Sequence, residues 1–101
     1  MVPEERGPRE LTEHERGEVL RTYMPQGRIT AVPVRRPDRL VLLDQVARAF
    51  EPGVRYTGAE VNAVLCRFSA DLVVLRRSLV DEGFMEQDRT HYWRCGGTVD
   101  L

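Results

Sequence analysis

Two short amphipathic segments, separated by only a few residues and followed at once by a glycine and an alternating stretch, constrain this chain more than any other feature. In the first, Thr57 and Glu60 have the spacing at which a hydroxyl caps an early helix N–H and the carboxylate reaches back to the cap. Val61, Val64 and Leu65 then share one face. After Arg67, Phe68 and Ser69 a second run, from about Ala70 to Glu82, carries Leu72, Leu75 and Leu79 as its inner stripe. Gly83 stops it where a left-handed residue is favoured. With so short a link the two helices cannot lie side by side and must cross steeply, which is the helix-turn-helix arrangement. Beyond Gly83 the period changes. Phe84 to Gln87 and His91 to Arg94 flank a polar tip of Asp88, Arg89 and Thr90, and a loop of those three residues sets Met85 opposite Trp93 and Gln87 opposite His91 in a hairpin.

Upstream, Thr12 and Glu15 repeat the capping spacing and open a helix to about Met24, closed by Pro25. Val19, Leu20, Tyr23 and Met24 form its narrow apolar stripe, which suits either its own domain or the seam of a homodimer. Arg28 to Val34 is β-branched and bounded by Gly27 and prolines, so it reads as a short edge strand. Pro37 and Asp38 open a strongly apolar helix to about Phe50, and Val54 to Tyr56 reads as an extended link. The predicted fold class is α+β, mainly helical: a winged helix-turn-helix with a short N-terminal helix and a C-terminal β-hairpin wing. Residues 1–11, with two prolines and a glycine, read as a mobile leader, 12–94 as one domain and 95–101 as a frayed tail.

The chain's 101 residues suit a single core, and 42% hydrophobic with 31% charged residues places it among folding sequences. No apolar run approaches the roughly 18 to 20 residues that cross a bilayer, and the polar, acidic first residues do not resemble a secretory signal. A cytoplasmic protein without membrane contact is expected. Cys66 and Cys95 lack metal-ligand spacing, and Cys66 falls in an amphipathic helix where a buried structural thiol is the default. His14 and His91 sit on different elements, and neither a phosphate loop nor a nucleophile elbow is present. No metal, cofactor or catalytic residue is predicted, and the chain does not read as an enzyme.

All fifteen basic side chains are arginine and the formal net charge is −1. Residues 1–26 hold four Arg against six acids, whereas 27–94 hold eleven against nine, so the helix-turn-helix half is weakly basic. In such a unit the second helix enters the major groove of duplex DNA. The cations placed to meet phosphates are Arg67 in the turn, Arg76 and Arg77 on the helix, and Arg89 and Arg94 on the wing. Asp71 and Asp81 oppose that field on the same helix.

The stretch FEPGVRYTGAEVNAVLCRFSADLVVLRRSLVDEGFMEQDRTHYWR, Phe50 to Arg94, resembles the bacterial domain-of-unknown-function family two-zero-eight-seven, with its PGxxYTxxEVN, LRRxLVDxGF and YWR motifs. The preceding GRITAVPVRRPDRLVLL is similar to that family's entry into the first helix, so the resemblance spans roughly Thr12 to Arg94. It implies a regulatory winged helix, since such domains occur alone or fused to transcription-regulator or acetyltransferase domains. Among the matching positions, Asn62, Asp71, Arg76, Arg77 and Asp81 are not demanded by packing, so they are where a partner is sought. Met85, Gln87 and the compressed tip depart from the family pattern of Leu, a basic residue and a longer loop. That departure keeps a second expectation open: a winged-helix module for protein contact or dimerisation without DNA.

Overall fold

A computed structural model describes residues 12–97. The sequence-read leader over 1–11, and the tail beyond Gly97, lie outside the described residues. Four helices and three strands follow in the order α1 (Glu13–Tyr23), α2 (Arg36–Ala47), β1 (Arg55–Thr57), α3 (Gly58–Leu65), α4 (Leu72–Asp81), β2 (Met85–Gln87) and β3 (His91–Arg94). The fold is thus α+β and mainly helical.

Both capping boxes form. Thr12 accepts from the Glu15 N–H at 3.1 Å and Thr57 from the Glu60 N–H at 3.2 Å, while each glutamate returns a bond to the cap N–H. Asp71 caps α4 through the Val74 N–H. Gly83 ends α4 with φ of 83°, a conformation in which a side chain is strained.

The core lies between α2, α3, α4 and the inner face of the sheet, with Leu42, Leu43, Val46, Phe50, Val61, Leu65, Leu79 and Met85 almost fully buried. Tyr56 stands edge-on to Phe50 with ring centroids 5.1 Å apart, and its hydroxyl accepts the Glu51 N–H at 2.7 Å. Aromatic edge contact and a satisfied phenol together anchor β1 to the end of α2.

Several expectations are corrected. The α1 stripe faces its own domain: Val19 and Met24 are buried and Leu20 and Tyr23 are partly buried against the core. Arg28 to Val34 is no strand but a strap, because its bonds go singly to separate elements, Ile29 N–H to the Phe68 carbonyl and Thr30 N–H to the Tyr23 carbonyl. The extended link is a true strand, β1, paired antiparallel with β3 in a sheet ordered β1-β3-β2. The link between α3 and α4 runs from Cys66 to Asp71, longer than the sequence suggested. The hairpin register is also shifted by one: Met85 faces Arg94, Glu86 faces Trp93 and Gln87 faces Tyr92. Asp88 causes this, since its backbone N–H bonds the His91 carbonyl and its carboxylate takes the Thr90 and His91 N–H groups, shortening the loop to Arg89 and Thr90. A one-residue slip exchanges faces, so Met85 and Arg94 point inward and Glu86 and Trp93 outward. At the end of the sheet Cys95 and Gly96 are not frayed, because both N–H groups donate to the Phe84 carbonyl.

Candidate nucleic-acid interface

The five arginines singled out in the sequence divide into distinct environments. Arg94 is buried, its Nε 3.0 Å from the Gly96 carbonyl and its Nη1 3.2 Å from the Phe50 carbonyl. It ties the base of the hairpin to the end of α2, and this inward role follows from the register shift. Arg94 is therefore withdrawn from the phosphate-facing set. Arg77 is 79% exposed and approaches Asp81 at 3.9 Å, an i,i+4 surface pair of small energetic value. Arg67 in the turn and Arg89 at the hairpin tip are exposed and form no ion pair among the described residues.

Arg76 is different again. Half-buried on α4, it donates Nη1–H to Asn62 Oδ1 of α3 at 2.6 Å and holds its guanidinium 5.9 Å from the centre of the Tyr92 ring on β3. Two of the positions that packing does not demand, Asn62 and Arg76, are thus brought together, at the junction of α3, α4 and the hairpin. Among the described residues no carboxylate pairs with this cation.

The helical period sorts the rest of α4 around this point. Going round the helix from the hairpin side at 3.6 residues per turn, the order is Arg76, Val73, Arg77, Asp81, Val74 and Asp71. The carboxylates therefore occupy the side of α4 away from the hairpin. Asp71 is occupied with its own cap, and Val73 and Val74 are 62% and 47% exposed. From Cys66 to Gly97 five arginines face five carboxylates, so the region is neutral in sum and charged only by arrangement.

Side chains not singled out from the sequence hold the hairpin in shape. Arg55 on β1 stacks 4.7 Å over the Trp93 ring and bonds Asp88, and the Trp93 indole N–H donates to Glu86 at 3.1 Å. The Asp88 carboxyl is held far below its usual range by the Thr90 and His91 N–H groups first and by Arg55 after them. At the opposite end of α3, Arg28 donates to the Cys66 and Arg67 carbonyls, satisfying the helix C-terminus. The signal missed was the pairing of β1 with β3, which sets Arg55 directly across from Trp93.

Neither thiol is a buried nucleophile. Cys66 is exposed, against the sequence expectation, because α3 ends at Leu65 and its thiol turns back to the Ala63 carbonyl at 3.1 Å. Cys95 is exposed as well, with its pKa raised by desolvation and then by Glu86. Among the described residues no cluster of His, Cys, Asp or Glu is arranged to hold a metal ion, and no helix is long and apolar enough to cross a membrane.

The profile of a bacterial family, described as uncharacterized protein conserved in bacteria (DUF2087), matches residues 28–94, and the chain belongs to that family. No curated protein and no solved structure matches it.

Proposed function

We propose that this member of the DUF2087 family is a winged helix-turn-helix protein that contacts duplex DNA through α4 and the β2–β3 hairpin, in a transcription-associated role. The observation carrying this reading is the way α4 and the hairpin meet. Arg76 reaches from α4 to Asn62 and to the face of Tyr92, so an outward helix face and a hairpin ending in the unpaired Arg89 stand as one unit. A recognition helix in the major groove beside a wing requires that fixed relation. With the α4 carboxylates on the side away from the hairpin, Arg76 and Val73 lie on the hairpin side of α4 and Arg77 follows them around the helix. Neutral net charge implies weak binding, with a salt slope set by the few phosphates that the unpaired arginines meet. A single module also buries little surface on a duplex, so two copies on adjacent half-sites belong to the proposal, joined by something other than the α1 stripe.

Replacing Arg77 and Arg89 together by Ala and measuring retention on mixed-sequence duplex at low salt tests the reading. Weakened retention supports it; unchanged retention, or none in the parent, overturns it. A second reading, a protein-docking module, is favoured by the exposed Val73 and Val74. It predicts association with a protein that is insensitive to salt and abolished by Val73→Asp, with no retention of the parent on duplex.

A further inference from the structure

A guanidinium withdrawn from water normally meets a carboxylate, because a half-buried charge without a counter-charge loses hydration that neutral partners replace only in part. Two other half-buried arginines that reach across the fold from helices follow that rule: Arg16 meets Asp44 and Arg39 meets Glu82. Arg76 does not. It is half-buried at the meeting of α3, α4 and β3, yet its partners are the amide oxygen of Asn62 and the ring of Tyr92, both neutral. Only Nη1 is committed to a hydrogen bond within the described residues, which leaves the rest of the donor fork open.

We infer that Arg76 is a preoriented anion contact for a backbone phosphate of duplex DNA, with Asn62 and Tyr92 as its positioning residues. This inference rests on the DNA-binding reading and names the site within it. A helix in the major groove and a hairpin beside it straddle the sugar–phosphate strand between the grooves, and Arg76 occupies that junction. Asn62 suits the task because an amide oxygen fixes the guanidinium without cancelling its charge, so the field is left for the ligand. Tyr92 supplies a flat face that holds the plane of the fork. A planar fork fixed from behind loses less freedom on meeting a phosphate than a free surface arginine does.

The test turns on one isosteric change. Asn62→Asp keeps the shape of the contact but gives Arg76 a carboxylate, so the cation is neutralised in place. With a fluorescent mixed-sequence duplex and anisotropy read across a salt series, Asn62→Asp and Arg76→Ala should each weaken binding roughly tenfold and reduce the salt slope by about one. Asn62→Ala keeps the charge and loosens the fork, so it should weaken binding a few-fold with the slope preserved. Thermal unfolding accompanies each variant, and Asn62→Asp should melt no lower than the parent. Parent-like affinity and slope in Asn62→Asp and Arg76→Ala, with the parent binding duplex, would overturn the assignment while leaving the DNA reading intact. A parent that ignores the duplex at low salt overturns both and leaves the α4 face to a protein partner.

Discussion

Replacing Arg94 separates a strut from a ligand. Its side chain is buried at 9% exposure and donates to the Phe50 carbonyl at 3.2 Å and the Gly96 carbonyl at 3.0 Å. Arg94→Ala removes these donors along with the rest of the guanidinium's contacts and leaves two carbonyls facing a space that water enters poorly. A hydrogen bond from a charged donor contributes roughly 1.5 to 3 kcal/mol net, and the lost stem packing adds to that, so a cost of about 4 kcal/mol is expected. In a domain of about this size that lowers the melting temperature by roughly 15 to 30 °C, against a total stability on the order of 5 to 15 kcal/mol. Trp93 is the single tryptophan in the chain and reports unfolding in urea by its fluorescence. Arg94→Lys keeps the charge without the two-pronged reach and should recover part of the loss. At a temperature where Arg94→Ala remains folded, its duplex binding should keep the parental salt slope. A parental urea midpoint combined with a reduced slope would refute the assignment and restore Arg94 to the contact surface.

Gly96→Ala should lower the urea midpoint by an amount worth about 1 to 3 kcal/mol, because the added Cβ would stand 2.5 Å from the Gly83 carbonyl oxygen, a backbone atom with little room to yield. Gly58→Ala is the matched control: its Cβ meets only Tyr92 at 3.9 Å, and the gain in helix propensity makes it neutral or stabilising. Leu20→Ser with Tyr23→Ser should destabilise the fold without changing the mass seen by light scattering; a change of mass at constant stability would return α1 to the role of dimer seam. Glu82 has a pKa lowered chiefly by the Arg36 hydrogen bond, so its stabilisation is complete above the ordinary glutamate value of 4.5 and is lost as pH falls through the folded value. Glu82→Gln should therefore flatten the acid side of a urea-midpoint profile, and an unchanged profile would remove Glu82 from the acid response.

What was legible in the sequence is what depends on neighbours along the chain. The capping boxes at Thr12 and Thr57 close within three residues, and Gly83 ends α4 by its own conformational freedom, so spacing alone exposes them. The hairpin was legible as a change of period, but its register was not. That register hangs on the Asp88 carboxylate taking two backbone N–H groups, a choice between side-chain and ladder bonding that alternation does not encode. Arg28 to Val34 has strand-like composition and lacks a strand to pair with; Arg28 instead satisfies the end of α3. Arg94 reads as a surface cation until α2 delivers the Phe50 carbonyl beside it.

The candidate interface shows the same division more sharply, because a count of arginines says little about the field they make. Arg16 and Arg48 are spent on Asp44, Arg36 and Arg39 on Glu82, Arg55 on Asp88 and, more loosely, Arg77 on Asp81. Paired charges of this kind project weakly beyond a Debye length of about 10 Å. Among the described residues of α3, α4 and the hairpin, the field offered to a polyanion comes from cations those pairings leave over, including Arg67, Arg89 and Arg76 with its neutral partners. An amide at position 62 in place of a carboxylate is thus worth as much to that field as an added arginine. Asn62 stood out in the sequence only as a residue the core did not require; its meaning depends on Arg76 lying within 2.6 Å.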